Sequence, residues 1–428
     1  MNFSYIFNFP KPGNYTIKYI FKSPLKSTNF MFAQCFEITS LDFSNFNAEN
    51  VVQMSYMFAL CESLESINFT NFNTKNVIDM NGMFAHCISL KSLNLSNFKN
   101  EKLKDLNMMF LKCSTLKSIN LNKFNTQNVI QMNRTFQGCK SLTSLNLSYF
   151  NTKKVNDMGG MFIDCYSLES LDLSKFITDN VNNMSLMFLG CHSLKSLNLS
   201  NFNVQNVIDI NRMFEQCYSL KILTLPNFKN SKIENLYGMF TDCYSLISLY
   251  LNFNTKNVKS MHYMFKNCRS LTTLDLSNFN TQNVVYMYDM FYNCASLTTL
   301  DLSNFNTKNV KDMNDMFYNC NSLTTLDLSN FNTENVKDMK DMFYNCNSLI
   351  SLDISNFKEK KLNFFVNKCK NCNSLIFKNI KIKSLPDQNN NEIINDLNFV
   401  NPFQMVSPEE NKNNIDNGLE ELEQFLAV

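Results

Sequence analysis

Residues 294–319 read CASLTTLDLSNFNTKNVKDMNDMFYN, and Cys320 begins almost the same words again. Cysteines recur at Cys35, Cys61, Cys87, Cys113, Cys139, Cys165, Cys191, Cys217 and Cys243 at intervals of 26, then at Cys268 after 25, then at Cys294, Cys320, Cys346 and Cys372. Fourteen in-register cysteines enclose thirteen repeats. A fixed period of this size marks a solenoid, in which no unit buries its apolar face alone and neighbours must stack to make a core.

Within a repeat the apolar period changes. In Leu297–Ser303 the leucines at 300 and 302 alternate with Thr299, Asp301 and Ser303, the pattern of a strand with one buried face. After the turn Asn304–Thr307 the apolar positions are Val310, Met313, Met316, Phe317, Cys320 and Leu323. Those steps match a helix, with Asn309 as N-cap and Asp312 in the first turn. The expectation is an α/β solenoid of about 13 repeats of 26 residues, one parallel sheet face and short helices on the other.

The columns assign the core. Phenylalanine fills the turn from Phe46 to Phe357 and the second half from Phe32 to Phe343, together 26 of 40. Methionines cluster in the columns of Met313 and Met316, and at this spacing both residues read as packing. The cysteines read as buried free thiols, because equivalent side chains on adjacent coils run parallel while a disulfide needs converging ones. Stacked Asn280, Asn306 and Asn332 are expected to bond turn backbone between coils. Lys99 with Lys102, Lys229 with Lys232 and Lys358 with Lys361 replace paired asparagines every fifth repeat. They read as neighbours that change together, the alternative being three basic notches on one edge.

Residues 1–26 fall outside the repeat, and the alternating Tyr15–Phe21 reads as a β cap over an open apolar end. Residues 27–380 form the solenoid. Residues 381–428 are Asn-rich, carry nine acids against three lysines, and read as mostly disordered. Within them Gly418–Leu426 has the spacing of one amphipathic helix, to dock on the solenoid end or to act as a peptide ligand. In the last repeat Cys369 and Cys372 make a lone CxxC, half of a zinc site with no second pair to complete it, and read instead as a core or end-capping pair.

A net charge of +2 from 39 basic and 37 acidic residues gives no signal for nucleic acid. No apolar run is long enough for a transmembrane segment, and MNFSYIFNFPKPG does not read as a secretion signal. His86, His192 and His262 occupy three different repeat positions, and no P-loop, GxSxG or HExxH motif appears. The expectation is no enzyme, no catalytic residue, no cofactor and no metal.

The pattern C-x-S-L-x-S-L-x-L-S-N-F-N-T-x-N-V-x-x-M-x-x-M-F closely resembles the repeat of BspA-like leucine-rich-repeat surface proteins, over about residues 27–380. The resemblance implies a right-handed solenoid and a role in adhesion or recognition, at the cell surface or secreted. The alternative is a cytoplasmic scaffold for protein–protein interaction.

The outward strand column runs Asp42, Asn68, Asn94, Asn120, Asn146, Asp172, Asn198, Thr224, Tyr250, Asp275, Asp301, Asp327 and Asp353. Thirteen strands at ~4.8 Å make a sheet roughly 60 Å long, large enough for a standard protein interface. Two candidates for a protein or glycan partner lie on it. Ile222, Thr224, Pro226, Ile247 and Tyr250 break the Ser/Asn pattern in two consecutive repeats. Asp275, Asp301, Asp327 and Asp353 form an acidic strip, read as a surface for cations or basic ligands or as solvated edges that prevent aggregation.

Overall fold

The computed structural model describes residues 11, 13, 23–228, 232–358, 369, 371–375 and 380–381. The chain divides into two units, Met1–Lys383 and Ser384–Val428, and every described residue lies in the first. The β cap expected at Tyr15–Phe21, Lys229, Lys361 and the acidic tail after 381 lie outside the described residues.

Each strand is a triplet whose middle residue points inward, as the alternation requires. They are β1 (Ser40–Asp42), β2 (Ser66–Asn68), β3 (Ser92–Asn94), β4 (Ser118–Asn120), β5 (Ser196–Asn198), β6 (Ile222–Thr224), β7 (Ser248–Tyr250), β8 (Thr273–Asp275), β9 (Thr325–Asp327) and β10 (Ser351–Asp353), with the two-residue β11 (Ile380–Lys381). Pairing is parallel and in repeat register, as in Leu93 opposite Ile119 and Leu352 opposite Leu326. The strands stay short because their third residue closes them. Asp42 Oδ1 accepts the Ser44 N–H at 2.8 Å, and the Asx turn recurs at Asn94, Asp172 and Asp301.

The second half of the repeat is not helical, which corrects the expectation from spacing. Among the described residues there is no helix; residues 54–61 show the arrangement that takes its place. Alternate N–H groups donate to the next coil: Met54 to Asp79 O, Tyr56 to Asn81 O, Phe58 to Met83 O and Leu60 to Ala85 O, at 2.7–2.9 Å. The N–H groups of Met57, Ala59 and Cys61 close tight turns onto Met54, Tyr56 and Phe58. These turns need left-handed backbone twice per coil, at Tyr56 (φ 53) and Leu60 (φ 62), and at Gly82 (φ 58) and His86 (φ 61) in the next. Packing pitch decides the outcome. A helix is ~10 Å wide, whereas hydrogen-bonded coils repeat at ~4.8 Å, so this side stacks as a ladder of turns. An unbroken series of parallel bridges runs along it from Ser27 through Gln53 and Asp79 to Asp338. Asn309, expected as an N-cap, instead sends its Nδ2 to Gln282 O of the preceding coil at 2.7 Å.

The core follows the columns. Phe58, Phe84, Phe110 and their successors to Phe343 are buried, with adjacent rings nearly parallel and 5.4–5.8 Å apart, an offset stack. The cysteines are free, and those from Cys61 to Cys346 are buried. They also do more than fill space. Cys87 Sγ donates to Phe58 O at 3.2 Å, and the same bond to the coil before recurs from Cys61 to Cys372.

Polar groups tie coil to coil in two columns. Asn306 and Asn332 accept from their own turns, at Lys308 N and Glu334 N, rather than across coils. The cross-coil bonds come from Asn283, Asn309 and Asn335, and from buried threonines such as Thr281, which donates to Asn306 O and accepts the Asn306 N–H. At Lys99 and Lys102 three positions change rather than two. Buried Asn100 stands between them in the threonine column and accepts from Thr74 Oγ1 at 2.8 Å.

Candidate interaction face

The outward column has a structural task that sequence reading did not assign. Asp275, Asp301, Asp327 and Asp353 each receive the N–H two residues on, at 2.9–3.1 Å. That N–H, from Ser277 and Ser303, holds the carboxyls of Asp275 and Asp301 below the ordinary aspartate range. Asp275 and Asp301 therefore stay ionised at neutral pH while they cap strands. Asp275, Asp301 and Asp327 are exposed, and Asp353 is partly exposed.

The column breaks at Thr224 and Tyr250, and the cause is local. Pro226 sits where the capping N–H belongs and has none to give. In the next coil one residue is missing before Phe253, the source of the 25-residue interval. Released from capping, these strands carry apolar surface. Ile222 is 66% exposed, Ile247 50% and Tyr250 70%, where other coils show Ser, Thr, Lys, Glu or Asx at these positions apart from an exposed Ile350 in the column of Ile247. Strands β6 and β7 lie in consecutive coils without pairing to each other. Pro226 itself is buried, so it shapes the patch without lining it, a correction to its place among the contact residues.

The face is open. A shallow depression of about 360 Å³ over β3 and β4 is lined by strand residues such as Ser92, Asn94 and Asn120. Asn68, Asn94, Asn146 and Asn198, each the first residue of an N-x-[ST] glycosylation triplet, are exposed on this face, each with its Oδ1 engaged in an Asx turn.

The opposite, turn-ladder side accounts for two histidines. Tyr166, His192, Tyr218 and Tyr244 stack at 4.3–4.9 Å, with Lys140 and Arg269 over the outer rings. His262 is stacked between Tyr237 and Tyr288, and burial pushes its pKa down to about 4. Burial also pushes the thiols of Cys61, Cys113 and Cys320 up to about 12, the reverse of what a nucleophile needs.

Burial likewise raises Asp315 to about 6, with Asp341 adding to it. A carboxyl higher in the folded than in the unfolded chain contributes stability below pH ~4, which is lost as pH rises through ~6. Asp315→Asn keeps a side chain suited to the positive φ of 53° there. It is expected to stabilise the protein at pH 7.5 by on the order of 1 kcal/mol after allowance for solvent screening. Denaturant midpoints at pH 4 and 7.5 check this: the gain should vanish at pH 4, and an equal gain at both would refute the assignment.

Short parallel strands stacked with their outward side chains on an open face define a repeat scaffold of the leucine-rich-repeat kind. The chain belongs to the family described as Mycoplasma protein of unknown function, DUF285, whose model matches residues 26–144, 104–224, 217–320 and 299–382. Its repeats of about 26 residues agree with the BspA-like repeat recognised in the residues. Among solved structures, the chain is similar to a leucine-rich repeat protein from Bacteroides ovatus, at 18% identity and a TM-score of 0.47 over 76% of this chain and 81% of that one. It is also similar to a leucine rich cell surface protein from Faecalibacterium prausnitzii, at 16% identity and a TM-score of 0.38 over 64% and 77%. A leucine-rich repeat protein from Eubacterium ventriosum is similar at 16% identity and a TM-score of 0.37 over 70% and 81%. No curated protein matches the chain.

Proposed function

We propose that the chain is a non-enzymatic scaffold that binds a protein partner on its sheet face, at the cell surface, with Ile222, Thr224, Ile247 and Tyr250 at the centre of the contact. One observation carries this reading: two consecutive coils give up the strand-closing Asx turn and present exposed Ile222, Ile247 and Tyr250 instead. Packing gains nothing from these side chains, whereas an apolar and aromatic centre is what an interface anchor requires. The acidic column of Asp275, Asp301, Asp327 and Asp353 continues from the patch. The fitting partner therefore joins an apolar centre to basic side chains.

A variant restoring the repeat, Ile222→Ser with Ile247→Thr and Tyr250→Asp, tests the patch. Binding of purified protein to intact source cells and to their extracted proteins is the measurement. The variant is expected to bind at least about tenfold more weakly, with an unchanged denaturant midpoint. Equal binding would overturn the patch. Antibody to the repeats staining source cells only after permeabilisation would overturn the surface location and favour an intracellular scaffold.

A further inference from the structure

The last described coil alters one column in a way that changes its chemistry. One repeat after Phe343, the phenylalanine position is taken by Cys369, while Cys372 continues the cysteine column after Cys346. The repeat's F-x-x-C thereby becomes C-x-x-C. The turn is retained, since Cys372 N–H donates to Cys369 O at 3.3 Å, as Cys346 N–H does to Phe343 O. Such a turn holds its end Cα atoms within about 7 Å, close to the range a disulfide spans.

Two further differences separate this pair from the interior thiols. Cys369 and Cys372 are partly exposed, whereas Cys61 to Cys346 are buried. Cys372 Sγ donates to Phe343 O at 3.0 Å and has the thiols of both Cys346 and Cys369 as neighbours. Those thiol contacts, Cys346 first, favour its thiolate, against burial. The other column thiols make the same bond to a phenylalanine carbonyl of the preceding coil but have a phenylalanine, not a second thiol, three residues before them.

We propose that Cys369 and Cys372 form a dithiol–disulfide site that exchanges with small-molecule disulfides. The Cys372 thiolate attacks one sulfur of R–S–S–R, forming a mixed disulfide and releasing RS⁻. The Cys369 thiolate then attacks the Cys372 sulfur, closing the protein disulfide and expelling the second RS⁻. Two protein thiols are oxidised, one small disulfide is reduced, and the two protons pass to the released thiolates. Cys346, buried beneath Cys372, stays reduced.

The test exposes the reduced full chain to oxidised glutathione, alkylates the remaining thiols, and assigns each cysteine by peptide mass. The Cys369–Cys372 peptide is expected to lose two hydrogen atoms while Cys61 to Cys346 stay reduced and become alkylatable only on denaturation. Cys369→Phe restores the aromatic column and removes the resolving thiol, so glutathione should remain attached to Cys372. Cys372→Ser should slow reaction at Cys369 at least about tenfold. A pair that stays reduced, oxidation of Cys346 at the same rate, or no adduct in a folded Cys369→Phe protein would overturn the proposal.

Discussion

Phe188→Ala is expected to lower the free energy of unfolding by about 3–5 kcal/mol. The ring is fully buried in the middle of the solenoid and lies between Phe162 and Phe214, 5.6 Å from each. Truncation removes its transfer free energy, opens a cavity between two coils, and leaves two neighbouring ring faces without partners. The position matters as much as the burial. In a solenoid each unit is held by its interfaces with the units before and after, so a central loss weakens two interfaces at once. Phe30, 60% exposed in the first described coil and stacked, among the described residues, on Tyr56, should cost under about 1 kcal/mol on the same change. Urea or guanidinium titration with the two variants side by side provides the measurement. A loss under about 1 kcal/mol at Phe188 would mean that the aromatic column does not hold the coils together.

That column was legible in the sequence because burial repeats with the period, and a position that is always Phe, Met, Leu or Cys has one environment in every coil. The supposed helix was misread for a related reason. Consecutive tight turns also place apolar residues three and four apart, so Val310, Met313, Met316, Phe317 and Cys320 satisfy either structure. The distinguishing sign lay elsewhere, in Gly82, Gly160 and Gly238 sharing one column, with Gly138 and Gly190 sharing the column before cysteine alongside Asn and Asp. These residues tolerate left-handed backbone, and all five glycines adopt it. The outward strip carried a comparable sign. Apart from Thr224 and Tyr250 it holds Asp or Asn but never Ser, and the shared feature is the Oδ1 that closes the strand. Thr224 and Tyr250 stood out as irregular, but the cause could be assigned only once Pro226 was seen buried at the missing N–H.

Thr307→Val is expected to cost about 2 kcal/mol, the second-largest loss anticipated here, although it removes no volume from the core. The Thr307 side chain is wholly buried, and its hydroxyl satisfies two backbone groups of the next coil, donating to Asn332 O at 3.0 Å and accepting Asn332 N–H at 2.7 Å. Valine matches the shape but leaves both groups unpaired between coils, where water reaches them only in part. The two natural exceptions nearest in size, Ala48 and Val204, lie near the first described coil and before the irregular coil that contains Pro226. Thr307 has regular coils on both sides, so no local rearrangement is available to replace its bonds. Thr307→Ser keeps the hydroxyl and should lose about 1 kcal/mol or less, for the missing methyl. Denaturant midpoints of the two variants, with amide exchange at Asn332, separate the contributions. Faster exchange at Asn332 in the valine protein alone is the expected sign, and equal losses in both would assign the column to packing rather than to the hydrogen bonds that join one coil to the next.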